Sequence, residues 1–278
     1  MRHFTARDGA RIAFEEEGEG RPLLLLHGLM AHGGFFAPQS ALAVDFRLIR
    51  PDLRGHRGSP AGGGEPTIDI IAEDIAALAD HLDLHSAVVV GWSLGASVMW
   101  RLLAGPSSAR FSGAVVIDMT PRVLNDGDWT LGLSADVCES RRVAIEDDFE
   151  SFAVAAGGAI FAQPLSEQAR PLAAWAGREF ARNDGTAISS LWRSLVAEDL
   201  RPLLGRIRQP TLVVHGAHSH LYGSDTADHL VEALPDARPV SFARSGHSPH
   251  LEQPEEFNAA IRQFAASLPP VLQPHTTA

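Results

Sequence analysis

The chain has a single cysteine, Cys138. An internal disulfide is excluded, and so is a metal site built on cysteine pairs. A reducing compartment fits this usage. No apolar run approaches the ~20 residues that a helix needs to span a bilayer. The N-terminal Met1-Arg2-His3-Phe4-Thr5 carries no apolar signal region, so the expected location is the cytoplasm and no membrane span is expected. Excess positive charge is absent as well. The formal net charge is −11, which disfavours non-specific binding to nucleic acid or to anionic membranes and reads as a solubility feature. Internal repeats and low-complexity tracts are missing. So are the signatures of several cofactor and metal sites. His81 and His85 are four apart but no H-E-x-x-H pattern accompanies them, Gly62-Gly63-Gly64 lacks the strand and lysine of a phosphate loop, and no dinucleotide fingerprint appears. His215, His218 and His220 crowd one stretch, with His218 or His220 as possible neighbours of a site, but no carboxylate cluster supports a metal there. No cofactor and no metal is expected.

Of the 278 residues, 45% are hydrophobic, enough for a sizeable core and against a disordered or fibrous chain. Short β-branched or leucine-rich runs alternate with helical patterns, the signature of a parallel sheet with crossover helices. Phe4 to Ala6 and Arg11 to Phe14 flank Asp8-Gly9, a hairpin signal. Further strands are read at Leu23–Leu26, Arg47–Ile49, Ala87–Val90, Ala114–Ile117, Thr211–Val214 and Pro239–Phe242. Helices are read at Ile68–Leu82, with Thr67 as N-cap, at Leu94–Leu103, at Thr226–Leu234 and at Pro254–Leu268. Between Pro121 and about Pro210 strand signals nearly vanish, and amphipathic stretches carry Trp129, Trp175 and Trp192. The division expected is a core of residues 1–120 and 210–268, a helical cap of residues 121–209, and a loose tail of residues 269–278 containing Pro269, Pro270 and Pro274. The fold class expected is α/β, a mostly parallel eight-stranded sheet flanked by helices with a helical cap.

The segment from Ala87 to Ser97 reads strand, then Gly91-Trp92-Ser93-Leu94-Gly95, then helix. A G-x-S-x-G pattern in that context is a nucleophile elbow. The sharp turn drives the serine into strained backbone space and exposes its hydroxyl beside a helix N-terminus, where amides and the dipole favour negative charge. The glycines are small because backbone crowds the turn. Without its flanks the five-residue pattern would be a chance match in a glycine- and alanine-rich chain.

With Leu25-Leu26-His27-Gly28-Leu29, Pro51-Asp52-Leu53-Arg54-Gly55-His56, the Ser93 elbow, and Ser245-Gly246-His247 followed by Leu251-Glu252-Gln253-Pro254, the chain resembles the α/β-hydrolase family from Phe4 to Leu268. One departure is Arg57, which intervenes before Gly58 and alters a loop. The resemblance implies Ser93 as nucleophile and His247 as general base, with His250 the competitor in a packing role and Glu252 a loop anchor. It also implies an oxyanion hole from the backbone N–H groups of Leu29 and Leu94, with His27 structural. The acid is where this sequence departs from the family. Its usual slot, three residues beyond Gly216, holds Ser219, which cannot carry the charge that stabilises an imidazolium. Two explanations stay open. Asp118 closes the strand beside the nucleophile strand, as in small bacterial acyl esterases with serine in the later slot. Asp225 or Asp228 could instead serve from the later loop, although both fit the start of a helix. The empty slot favours Asp118, whose plainer reading is a turn cap.

The function expected is hydrolysis of a small ester by a Ser93–His247–Asp118 triad through an acyl-enzyme. Lactone opening, carbon–carbon bond cleavage or peracid formation on the same triad, or acyl transfer, are rivals. A receptor that kept the fold is a rival of another class. A small acyl compound is the expected partner, bound in a pocket bordered by Trp92, Met30 and Trp129, and the chain is expected to be a monomer or homodimer.

Overall fold

A computed structural model describes residues 1–270. Of the expected tail, residues 271–278 lie outside this range, while Pro269 and Pro270 follow the last helix without regular structure. The strands are β1 (Arg2–Thr5), β2 (Arg11–Glu17), β3 (Arg21–Leu26), β4 (Phe46–Pro51), β5 (Ala87–Trp92), β6 (Phe111–Ile117), β7 (Thr211–Gly216) and β8 (Ala237–Phe242). They form one eight-stranded sheet in the order β1-β2-β4-β3-β5-β6-β7-β8. β1 and β2 pair antiparallel, as do β2 and β4, and the remaining pairs are parallel. Most strands run a few residues beyond the apolar stretches that signal them. Ladder bonds continue where side chains turn polar, as at Glu15–Glu17 opposite Leu48–Arg50.

Central strands buried on both faces read as continuous apolar runs. β5 is the clearest case: Val88, Val89 and Val90 are fully buried, and the strand lies between β3 and β6. At the edge, β8 instead leaves most of its side chains in contact with solvent and buries only Phe242.

Helices α1 (Ile68–His81) and α2 (Leu94–Leu103) pack against each other, and α2 packs against β5 and β3. The Thr67 side chain accepts from the Ile70 N–H at the start of α1, an N-cap worth about 1 kcal/mol. Ile68, Ile71, Ile75 and Leu78 form its buried stripe. The stretch from residue 121 to 209 holds α3 (Ala135–Asp147), α4 (Phe149–Ala159), α5 (Ala169–Phe180), α6 (Gly185–Ala197) and the single turn α7 (Arg201–Leu204). Its only β features among the described residues are isolated bridges, Leu124 with Leu133 and Asp126 with Trp129. α4 and α5 touch through backbone: a Cβ at Gly157 would collide with the Gly177 main chain. After β7 come α8 (Ser224–Ala233), α9 (Pro249–Glu252) and α10 (Pro254–Ala266). Among the described residues no helix is long and apolar enough to cross a membrane.

The parallel register decides what meets at the C-terminal edge of the sheet. Leu26 pairs with Gly91, Trp92 with Ile117, and Ile117 with Val214. The residues that follow these strands therefore emerge side by side, about 4.8 Å apart per strand. Those residues are His27-Gly28 after β3, Ser93 after β5 and Asp118 after β6.

Candidate active site

Ser93 links β5 directly to α2 with φ 53° and ψ −122°. That left-handed conformation costs a residue with a Cβ on the order of 1–3 kcal/mol and persists only where the surroundings enforce it. They do so here. The Ser93 N–H donates to the Ile117 carbonyl at 3.1 Å, and its carbonyl accepts from the Ala96 N–H at 2.8 Å. The elbow also presses on β3, since a Cβ at Gly95 would strike the carbonyls of Leu26 and His27. Only glycine permits that approach.

The histidine loop is fixed by the residues after it. Glu252 accepts from the N–H groups of Gly246 and Ala162, each at 2.8 Å. Gln253 accepts from the Arg244 N–H at 2.8 Å and the Ser245 hydroxyl at 3.0 Å. Burial raises the Glu252 carboxyl above its ordinary value, opposed by the backbone donors that favour its charged form. The Trp92 indole N–H donates to the His247 carbonyl at 2.9 Å and ties this loop to the elbow strand. His247 is thereby held almost fully buried.

His247 Nδ1 lies 2.6 Å from Asp118 Oδ2. Asp118 is also buried and also left-handed, with φ 45°, and its N–H donates to the Val214 carbonyl at 2.9 Å. The same carboxylate oxygen accepts from the Ser219 hydroxyl at 2.6 Å. Ser219 is thus a donor to the carboxylate on the neighbouring strand end, a role the sequence reading missed. Its position in the acid slot was the available signal. Asp225 and Asp228 are exposed on α8, with Asp225 in the first turn, where an acid complements the helix dipole.

A cavity of about 310 Å³ opens over the strand ends, and Ser93, His247, Leu29, Met30 and Trp92 all line it. Its far wall comes from the inserted helices, through residues such as Ile145, Phe152, Ala156, Phe180 and Trp192. The Leu94 N–H opens α2, so it is one of the first helix amides without an intrahelical partner. Leu29 sits in the turn that the Ala31 N–H closes onto the Gly28 carbonyl at 3.1 Å. His27 braces that turn: its Nε2 accepts from the Leu53 N–H and its Nδ1–H donates to the Gly28 carbonyl, each at 2.8 Å. Burial and the nearby His56 push its pKa well below the ordinary value.

One expectation for the pocket is corrected. Trp129 is not among the residues that line the cavity. Its loop folds back on itself, so the indole N–H donates to the Arg122 carbonyl at 2.8 Å, Arg201 covers the ring, and His229 meets its edge. Trp175 packs on Phe35, and of the tryptophans between residues 121 and 209 only Trp192 reaches the cavity. His250 is fully buried against Phe36, Trp92 and Phe257. Among the described residues neither of its ring nitrogens has a partner, and burial holds its pKa at about 3. Among the described residues no group of three His, Cys, Asp or Glu side chains is placed to hold a metal ion.

The model of the Alpha/beta hydrolase family matches residues 23–260. The chain belongs to that family. A pimeloyl-(acyl-carrier protein) methyl ester esterase of Nitrosomonas europaea is 30% identical over 257 residues, covering 89% of this chain and 97% of that protein. Among solved structures, an esterase from Exiguobacterium antarcticum superimposes with a TM-score of 0.89 at 25% identity, covering 95% of this chain and 99% of its own. An enol-lactonase from Burkholderia xenovorans shares the fold, with a TM-score of 0.86 at 24% identity over 96% of this chain and 100% of its own.

Proposed function

We propose that this α/β-hydrolase cleaves a small carboxylic ester with Ser93 as nucleophile, His247 as general base and Asp118 as the acid that orients it. The observation that carries the reading is the 2.6 Å contact between His247 Nδ1 and Asp118 Oδ2, beside a cavity that Ser93 and His247 both line. With Nδ1 engaged by the carboxylate, Nε2 is the nitrogen left to take the Ser93 proton. The freed oxygen attacks the ester carbonyl, and negative charge develops on the carbonyl oxygen. The N–H groups of Leu29 and Leu94 receive it, each such donor lowering the barrier by roughly 3–4 kcal/mol. His247 then protonates the departing alcohol, and water repeats the sequence on the acyl-enzyme. Asp118 stabilises the imidazolium in both halves without itself accepting the proton.

We read residues 121–209 as a cap whose helices supply the acyl-binding wall. A cavity of about 310 Å³ is at the small end of ligand sites, which run from about 300 to 1,000 Å³, so short substrates are favoured. The relatives named as esterases support this reading. A lactone is an internal ester and would use the same groups. The test is hydrolysis of 4-nitrophenyl esters of two to twelve carbons beside Ser93→Ala. Loss of a nucleophile costs up to about a million-fold in kcat in a serine hydrolase, so the variant falls to near background while the wild type turns over. An active variant, or a wild type inert on every ester and lactone, removes the proposal.

A further inference from the structure

The cavity over Ser93 is apolar except for four groups. Ser93 and His247 are assigned to the chemistry, which leaves Arg141 and Tyr222. Arg141 and Ile145 are one helical turn apart on α3, and both line the cavity. The next residue, Arg142, turns outward and is paired with Glu139 and Glu146. Arg141 differs: among the described residues no carboxylate lies within 4.0 Å of its guanidinium nitrogens. Its head group instead sits 5.6 Å from the centre of the Trp192 ring, and Trp192 is itself anchored through its indole N–H to the Cys138 carbonyl at 3.1 Å. The Tyr222 hydroxyl has no hydrogen-bond partner among the described residues, although its ring is buried. Arg141 and Tyr222 line the same cavity; burial raises the Tyr222 hydroxyl pKa, and the Arg141 charge opposes that shift. Arg141 is half-buried and lines the cavity with no carboxylate partner among the described residues, so its guanidinium is available to an anion there, and the planar fork of arginine suits a carboxylate.

We infer that Arg141, assisted by the Tyr222 hydroxyl, is the specificity-determining residue for a free carboxylate on the substrate. The substrate class is then a half-ester, or an ester of a hydroxy or phenolic acid, rather than a neutral ester. This inference rests on the ester-hydrolase reading of the same site. No covalent step is added: the carboxylate is held by charge-assisted hydrogen bonds while Ser93 acts on the ester.

The experiment compares chain-matched pairs. On the acyl side, mono-4-nitrophenyl glutarate is set against 4-nitrophenyl pentanoate. On the alcohol side, 4-acetoxybenzoate is set against phenyl acetate. The wild type prefers the carboxylate member of one pair, mainly through KM. Arg141→Gln lowers that preference roughly 10- to 100-fold, the range of a charge-assisted hydrogen bond. Arg141→Lys keeps part of it, and Arg142→Gln, on the outer face, leaves it intact. A wild type without preference in either pair, or a preference that survives Arg141→Gln, overturns the assignment. Binding of glutarate alone, followed by titration calorimetry, separates the two readings. If no ester turns over but glutarate binds the wild type and not Arg141→Gln, the carboxylate site stands and the hydrolase reading falls. If esters turn over without glutarate binding or carboxylate preference, the reverse holds.

Discussion

The sheet edge and the inserted helices build opposite walls of one cavity, and they do so by different means. At the sheet edge each functional group is fixed by main-chain geometry. Ser93 and Asp118 are both forced to positive φ, their N–H groups are bonded to the next strand, and the His247 loop is held by Glu252, Gln253 and Trp92. On the helical side, Arg141, Ile145, Ala156 and Trp192 present side chains from ordinary helix positions. The first arrangement tolerates almost no substitution, because strand register and backbone strain set the geometry. The second can change one wall residue without disturbing another. On the proposed reading, reaction type belongs to the strand ends and selectivity to the helices, and the two should respond differently to mutation.

The largest effect expected after removal of Ser93 is at Asp118. Asp118→Asn keeps the shape but withdraws the charge that orients His247 and stabilises its protonated form. By analogy with other Ser-His-Asp triads, kcat falls about ten-thousand-fold. The sharper version adds Ser219→Asp. Ser219 Oγ and His247 Nδ1 both lie 2.6 Å from the same Asp118 oxygen, so a carboxylate at position 219 enters from the slot the family commonly uses. Recovery of activity in the double variant, relative to Asp118→Asn alone, is the expected result. No loss in Asp118→Asn would remove Asp118 from the triad and reopen the question of Asp225 and Asp228.

On the opposite wall, Ala156→Leu fills space without touching the chemistry. The profile across acyl chain lengths should shift toward acetate, with discrimination against longer chains increased roughly 10- to 200-fold, the worth of one methylene or so in an apolar pocket. A uniform fall in kcat across all chain lengths would break the division of labour between the two walls.

This division also explains what could be read from the sequence. Ser93 and Gly28 sit at strand ends and His247 in the loop after β8, each in a short glycine-bearing pattern shaped by close packing, so their spacing survives as a motif. Asp118 was legible only indirectly, from the serine at position 219, and the hydrogen bond between the two was not. Trp129 and Trp192 are equivalent in sequence, both being aromatic residues in a helical stretch. One lies in a loop that closes on itself and is buried against Arg201 and His229, and the other, on α6, lines the cavity, a difference of tertiary contacts that no local pattern encodes. Arg141 was invisible for the same reason: on α3 it differs from Arg142 only by one helical step.

Ser219→Ala has a smaller expected effect. It removes one donor from a buried carboxylate that keeps its histidine, and a hydrogen bond to a charged group is worth about 1.5–3 kcal/mol. Only part of this bears on the transition state, because ground and transition states both contain the bond. A fall in kcat of about tenfold is expected, with KM little changed. An effect as large as that of Asp118→Asn would mean that Ser219 positions the carboxylate rather than merely solvating it.

The two regions also differ in their response to acid. Residues 121–209 contain no histidine, whereas the sheet side buries several. Burial holds His250 at about 3 and His56 at about 4, and keeps His27 well below its ordinary value. In the unfolded chain each titrates near 6.5. Between roughly pH 6.5 and pH 4 the unfolded state therefore binds more protons than the folded state, so stability is fully present above pH 6.5 and is lost as the pH falls. Each such histidine contributes a slope of up to about 1.4 kcal/mol per pH unit. His250 isolates one of them, because among the described residues both its ring nitrogens lack partners, so no hydrogen bond to these residues is lost on replacement by an apolar side chain. His250→Leu should reduce the slope of unfolding free energy between pH 6 and pH 4 by about that amount, measured from urea midpoints at constant ionic strength. The slope is the informative quantity, since a shift of stability at every pH would report only repacking against Phe36, Trp92 and Phe257. An unchanged slope would mean that His250 takes up its proton in the fold as readily as in the open chain, and the acid sensitivity of the sheet would then rest on His27 and His56.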